Sequence, residues 1–189
     1  MNEEKKEYSQ LTKGTFLIAS PEIETGIFHR SVILLCEHNL SGSLGLIINK
    51  DIDFELGENI IELEDLSNPN VELRAGGPTQ MNQMLVLHDN AIEQSTSIVK
   101  GVSLGGDLEF LQEALLDSEG PKIRLLFGYS TWAAGQLEKE FLNGQWFVCK
   151  GCAKHVFETD VEDVWREILR EMGGRFASLS MIPDDLSLN

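Results

Sequence analysis

The sequence predicts an α/β fold of mixed α+β character, with a mixed sheet as its centre. Three observations carry that prediction. Ser31–His38 and Ser43–Asn49 are apolar runs flanking a polar, glycine-bearing turn, as in a hairpin buried on both faces. The second half alternates strand-like and helix-like segments in the manner of βαβ units. Near the end, Val161, Val164, Trp165, Ile168, Leu169 and Met172 fall on one stripe of a helix.

The elements follow in order. Thr15–Ala19 reads as a strand ended by Ser20-Pro21, and the hairpin comes next. Leu56, Ile60 and Leu63 recur at helical spacing, weakened by Gly57. Val71–Ala75 alternates apolar and polar until Gly76-Gly77-Pro78 breaks it. Gln83–His88 and Ile98–Leu104 are further strands. Asp107 caps a helix carrying Leu108, Leu111 and Leu115, which Gly120-Pro121 stops. Lys122–Gly128 is a strand, followed by a helix with Ala134, Leu137 and Phe141 and then by the strand Gln145–Lys150. Thr159 and Glu162 form a capping box for the last helix, ended by Gly173-Gly174. The expected total is about eight strands and four helices. Residues 1–12 read as a disordered acidic tail and 13–189 as one domain.

Composition limits function. The chain has 189 residues, enough for a core that needs no metal or disulfide staple. It carries 31 Asp plus Glu against 15 Lys plus Arg, a formal charge of −16. Direct nucleic-acid binding draws on clustered cations at phosphates, but here Lys50, Arg74, Lys100, Lys139 and Arg166 stand singly. The same charge opposes an anionic membrane surface. Met1–Gln10 has no apolar leader segment, and the longest apolar runs are too short to span a bilayer. Three cysteines give no disulfide framework, so a reduced, cytoplasmic setting is expected.

Several groupings invite chemical readings. Gly128-Tyr129-Ser130-Thr131-Trp132 has the setting of a nucleophile elbow, but Trp132 stands where the second glycine belongs. Ser130 or Thr131 is therefore expected to cap the helix that follows. Cys149 and Cys152 form a Cys-x-x-Cys with His155 three residues on. With no amphipathic helix before Val161 and no fourth donor, they are read as structural thiols, not a metal or redox site. His38 and His88 both end apolar strands. Gly76-Gly77 and Gly105-Gly106 read as turns that need positive φ, not as phosphate cradles, because neither has the spacing of a nucleotide loop.

Taken in sequence, these pieces resemble the AlgH family of bacterial proteins. The resemblance is carried by Gly14–Ala19 with Pro21, Phe28-His29-Arg30-Ser31-Val32, Cys36-Glu37-His38-Asn39 and Gly45–Asn49. It continues through Gly76-Gly77-Pro78, Leu87-His88, Leu104–Asp107, Gly128-Tyr129, Trp132, Gly135–Glu138, Trp146 and Asp163-Val164-Trp165. The resemblance implies a compact fold whose sheet is largely antiparallel and partly barrel-like. A link to alginate control has given the family a transcriptional-regulator label, without a helix-turn-helix to support it. The family offers no agreed catalytic residues to carry over. This chain departs from the family's Gly-Tyr-Ala/Ser-Gly-Trp-Gly pattern at Thr131 and Ala133.

The expected function is a non-catalytic protein that binds a small molecule or a protein partner, with an indirect regulatory role. The candidate surface is Glu37, His38, Asn49, His88 and Trp132, with no cofactor and no metal. One alternative is a hydrolase using Ser130 with His38 or His88. The other is a regulator that binds DNA directly.

Overall fold

A computed structural model describes residues 8–52 and 68–183. Among these described residues there are nine strands: β1 (Thr15–Ala19), β2 (Val32–Asn39), β3 (Gly42–Ile47), β4 (Val71–Ala75), β5 (Thr79–His88), β6 (Ser95–Val99), β7 (Val102–Gly105), β8 (Ile123–Ala133) and β9 (Trp146–Lys150). Five helices accompany them: α1 (Leu108–Leu116), α2 (Gln136–Leu142), α3 (Ala153–Phe157), α4 (Val164–Met172) and α5 (Gly174–Leu179). The strands form one sheet in the order β6-β7-β5-β8-β3-β2-β1-β9, and β4 joins it through β8. It is a mixed α+β fold with a curled, largely antiparallel half-barrel. The curl is tight enough that a Cβ on Gly14, just before β1, would lie 2.7 Å from the Ile98 carbonyl oxygen of β6. Among the described residues no helix is long and apolar enough to cross a membrane.

Strand alternation explains why the central hairpin is apolar throughout. Phe16, Ile18, Leu34 and Leu46 face Trp165, Ile168 and Leu169 of α4. The intervening residues Leu17, Ile33, Leu35 and Ile47 pack on the other face with Trp132, Trp146 and Leu137 of α2. Successive side chains point to opposite sides, so both registers must be hydrophobic. Each fully buried leucine or isoleucine contributes roughly 1.5–3 kcal/mol. A third cluster packs Ile123, Leu125 and Phe127 of β8 beneath Leu111 and Ala114 of α1.

β8 is the spine of the molecule. Its first half runs parallel to β4, from Val71↔Ile123 to Ala75↔Phe127, and antiparallel to β5. Its second half pairs instead with β3, through Gly45↔Ser130 and Ser43↔Trp132. The change of partner falls at Gly128, where the chain after β4 crosses it. A Cβ on Gly76 would sit 2.3 Å from the Gly128 carbonyl oxygen, and a Cβ on Gly128 equally close to that of Gly77. Gly76 is thus fixed by close backbone approach, whereas Gly77 and Gly128 have φ of +156° and +74°.

Several sequence expectations are corrected here. The strand expected over residues 98–104 is two strands, β6 and β7, which turn at Lys100-Gly101 with Gly101 at φ +77°. The strand expected to stop at Gly128 runs on to Ala133, because β3 offers an edge for Ser130, Thr131 and Trp132 to pair with. Ser130 and Thr131 therefore cap nothing; α2 starts after Gly135, with no side-chain cap. The Thr159/Glu162 capping box is absent too, since α4 starts after Asp163 while the Thr159 hydroxyl is engaged by His155. A short helix, α3, follows Cys152 where none was expected. Among the described residues only β4 and β8 form a parallel pair, so the second half is less βαβ-like than its periodicity suggested. The Asp107 cap is present, its carboxylate accepting from the Phe110 N–H at 2.8 Å. Leu11 is buried, so the packed chain begins earlier than residue 13. The helix expected around Leu56–Leu63 lies outside the described residues.

Candidate functional site

The second half of β8, the start of β9 and α2 enclose a hollow of about 330 Å³, with Ile23, Phe28, Ser130, Trp132, Glu140 and Trp146 among its walls. Ser130 and Trp132 are two residues apart on β8 and so share a face. Helix α2 then brings a carboxylate beneath the tryptophan. Both indole N–H groups donate to Glu140 Oε2, Trp132 at 2.8 Å and Trp146 at 2.9 Å. Gln136, one helical turn before Glu140, donates to Oε1 at 3.0 Å while its own carbonyl accepts from the Ala133 N–H. One carboxylate thus gathers three donors from β8, α2 and β9.

The aromatic walls are arranged edge to face. Trp132 and Trp146 have ring centroids 6.2 Å apart at 84°, and Phe28 meets Trp146 at 5.9 Å and 89°. The Ser130 hydroxyl is buried in the wall without a hydrogen-bond partner. Among the described residues no ion pair involves Glu140. The hollow therefore holds a carboxylate with no ion-pair partner among the described residues and a hydroxyl with no hydrogen-bond partner.

The five residues expected to form the site do not share one hollow. Trp132 lines this hollow and a neighbouring groove of about 260 Å³, whose far side includes the exposed Glu37. His38 lies beside that groove, its Nδ1 bonded to Ser43 Oγ at 2.8 Å and its Nε2 3.9 Å from Glu138. Asn49 sits at the opposite end of the hairpin, roughly 20 Å from His38 at 3.3 Å per residue. Its Oδ1 accepts from the Val32 N–H and its Nδ2 donates to the Arg30 carbonyl, so it pins the strands together. Asn49 borders a wider hollow of about 610 Å³ beside Arg30 and Trp165. There the Arg30 guanidinium is fastened to the Ile182 and Pro183 carbonyls and stacks over Trp165 at 4.9 Å. His88 is fully buried against Phe110, with centroids 4.7 Å apart and neither ring nitrogen hydrogen-bonded. Burial pushes its pKa down.

No histidine is hydrogen-bonded to Ser130. His38 is two strands away, about 10 Å at 4.8 Å per strand. His88 pairs with Ile123, seven residues up β8 and roughly 20 Å distant. His29 is bonded to the Ile23 carbonyl, and His155 to Thr159 and Glu171. The cysteines are no better prepared for chemistry. Burial pushes the Cys36 thiol up to about 12 and the Cys149 thiol up to about 11. Among the described residues no group of three His, Cys, Asp or Glu side chains is placed to hold a metal ion.

Sequence reasoning named Trp132 and weighed Ser130, but did not name Phe28, Glu140 or Trp146, which line the same hollow. A signal was present: Gln136 and Glu140 are spaced i, i+4 on the helix after Trp132, and Trp146 opens the next strand.

Comparison with known proteins places this architecture. A family profile described as AlgH-like matches residues 16–177. A UPF0301 protein of Chlamydia pneumoniae is 52% identical over 184 residues, covering 96% of this chain and 98% of that protein. A UPF0301 protein of Chlorobium luteolum is 35% identical over 97% of both chains. Two solved structures share the fold. A Corynebacterium diphtheriae protein superposes with a TM-score of 0.72 at 26% identity, covering 89% of this chain and 91% of that one. The solution structure of the AlgH protein from Pseudomonas aeruginosa gives 0.66 at 25% identity, covering 90% and 94%. The chain belongs to the AlgH-like family.

Proposed function

We propose that this protein is a non-catalytic, cytoplasmic binding protein whose small-molecule ligand occupies the hollow between Phe28, Trp132 and Trp146. The observation that carries the reading is the convergence of both indoles on Glu140 beside the unpartnered Ser130 hydroxyl. Apolar walls with a few fixed polar groups are the usual construction of a ligand pocket, and about 330 Å³ is within the usual size range. The wider hollow beside Asn49 is a poorer candidate because Asn49 and Arg30 are already committed to backbone partners. A serine with no base hydrogen-bonded to it favours binding over hydrolysis. The formal charge of −16 opposes direct contact with nucleic acid, so any regulatory role runs through ligand occupancy or a protein partner.

The test is a melting screen of small metabolites of positive, neutral and negative charge. A true ligand raises the melting temperature by mass action. That shift should vanish in Phe28→Ala and in Trp132→Phe. Hits untouched by both substitutions, or no hit at all, would count against this hollow.

A further inference from the structure

We infer that the hollow takes a quaternary ammonium compound, a methylated amine of about the size of choline. The inference rests on the binding role just proposed and specifies the ligand's charge. Three features select for it. Glu140 has no ion-pair partner among the described residues, so a bound cation would supply a counter-charge to its carboxylate. Three donors already occupy the carboxylate, which has about four acceptor positions. Little hydrogen-bonding capacity is left for a ligand, while the charge remains, and a quaternary ammonium offers charge without N–H donors.

The aromatic walls point the same way. Perpendicular rings at 5.9 and 6.2 Å enclose a corner instead of covering one another as a stack would. Indole and phenyl faces attract cations, and Trp132, Trp146 and the half-buried Phe28 all line the hollow. The Ser130 hydroxyl is free to bond a polar tail such as the hydroxyl of choline. A neutral ligand of the same shape would leave the carboxylate without a counter-charge. An anion would be repelled.

Isotope-labelled full-length protein titrated with three probes of matched shape tests this. The probes are choline, its uncharged carbon isostere 3,3-dimethylbutan-1-ol, and 3,3-dimethylbutanoate. The three tryptophans give three indole N–H resonances, and Trp165, bonded to the Ala19 carbonyl, serves as an internal reference. Choline should move the Trp132 and Trp146 resonances and bind about tenfold more tightly than the alcohol, with the carboxylate weaker still. In Glu140→Gln that preference should collapse. Equal binding of choline and the alcohol, or tighter binding of the carboxylate, would overturn the ammonium assignment and leave the hollow as a neutral or anion site. If choline moves neither resonance while the metabolite screen finds another ligand there, the charge assignment alone falls. If both experiments fail, the binding role falls with it. The wild-type comparison decides the matter even where the Gln variant folds poorly.

Discussion

Glu140→Ala should destabilise the fold, although Glu140 is itself only half-buried. The substitution removes the acceptor from two indole N–H groups on tryptophans that are 6% and 4% exposed. A hydrogen bond to a charged group contributes about 1.5–3 kcal/mol, and a stranded buried donor costs about 1–3 kcal/mol. Water entering from the adjacent hollow recovers part of this loss, so the expected cost is about 2–3 kcal/mol in total. For a chain of this size each kcal/mol shifts the melting temperature by about 2–4 °C, giving a drop of roughly 4–12 °C. Glu140→Gln keeps an acceptor oxygen and should lose less than about half as much. Urea unfolding followed by tryptophan fluorescence measures both variants. A Glu140→Ala protein within about 0.5 kcal/mol of wild type would show that the carboxylate does not organise the aromatic walls.

Three further outcomes are expected. Gly76→Ala, with its Cβ 2.3 Å from the Gly128 carbonyl oxygen, should cost about 2–3 kcal/mol or prevent folding, because hydrogen bonds to Ile47 and Phe127 hold that backbone in place. A urea midpoint matching wild type would refute the crossing. Ser130→Ala removes a buried hydroxyl with no partner, so stability should stay level or rise by up to about 1 kcal/mol; a clear loss would reveal a hidden partner. His88 has its native pKa pushed below the ordinary 6.5 by burial, so the unfolded chain takes up the proton first. Its contribution is therefore intact above that value and is lost as pH falls below it. Comparing urea midpoints near pH 5.5 and 7.5, His88→Leu should lose less than wild type on acidification. An equal loss would place the acid sensitivity elsewhere.

Much of the fold was legible because local pattern and tertiary burial agree. The doubly apolar hairpin Val32–Ile47 needs core on both faces, and the structure supplies it with α4 on one side and α2 with the tryptophans on the other. The stripe from Val164 to Met172 likewise found its partner in the sheet. The errors cluster where tertiary pairing overrode local signals. Gly128 reads as a strand end, yet it is a crossing point through which β8 continues because β3 lies open beyond it. Gly101 sits inside an apolar run that local pattern reads as continuous, but its left-handed backbone folds the run into a hairpin. The site suffered for the same reason. Asn49 and His88 were chosen as strand-end polar residues, but one ties strands together and the other is enclosed in the core. Trp132 could be found from sequence; that Trp146 and Phe28 would meet it could not, because their convergence depends on β8 running past Gly128.

A ligand of this protein is expected in the corner formed by Phe28, Trp132, Trp146 and Glu140. Crystals of the full chain soaked with a fragment collection test it most directly. The account predicts ordered density between the two indoles, with Glu140 still holding both N–H groups. Density confined to the hollow beside Asn49 and Trp165, with the tryptophan corner filled by water alone, would contradict it.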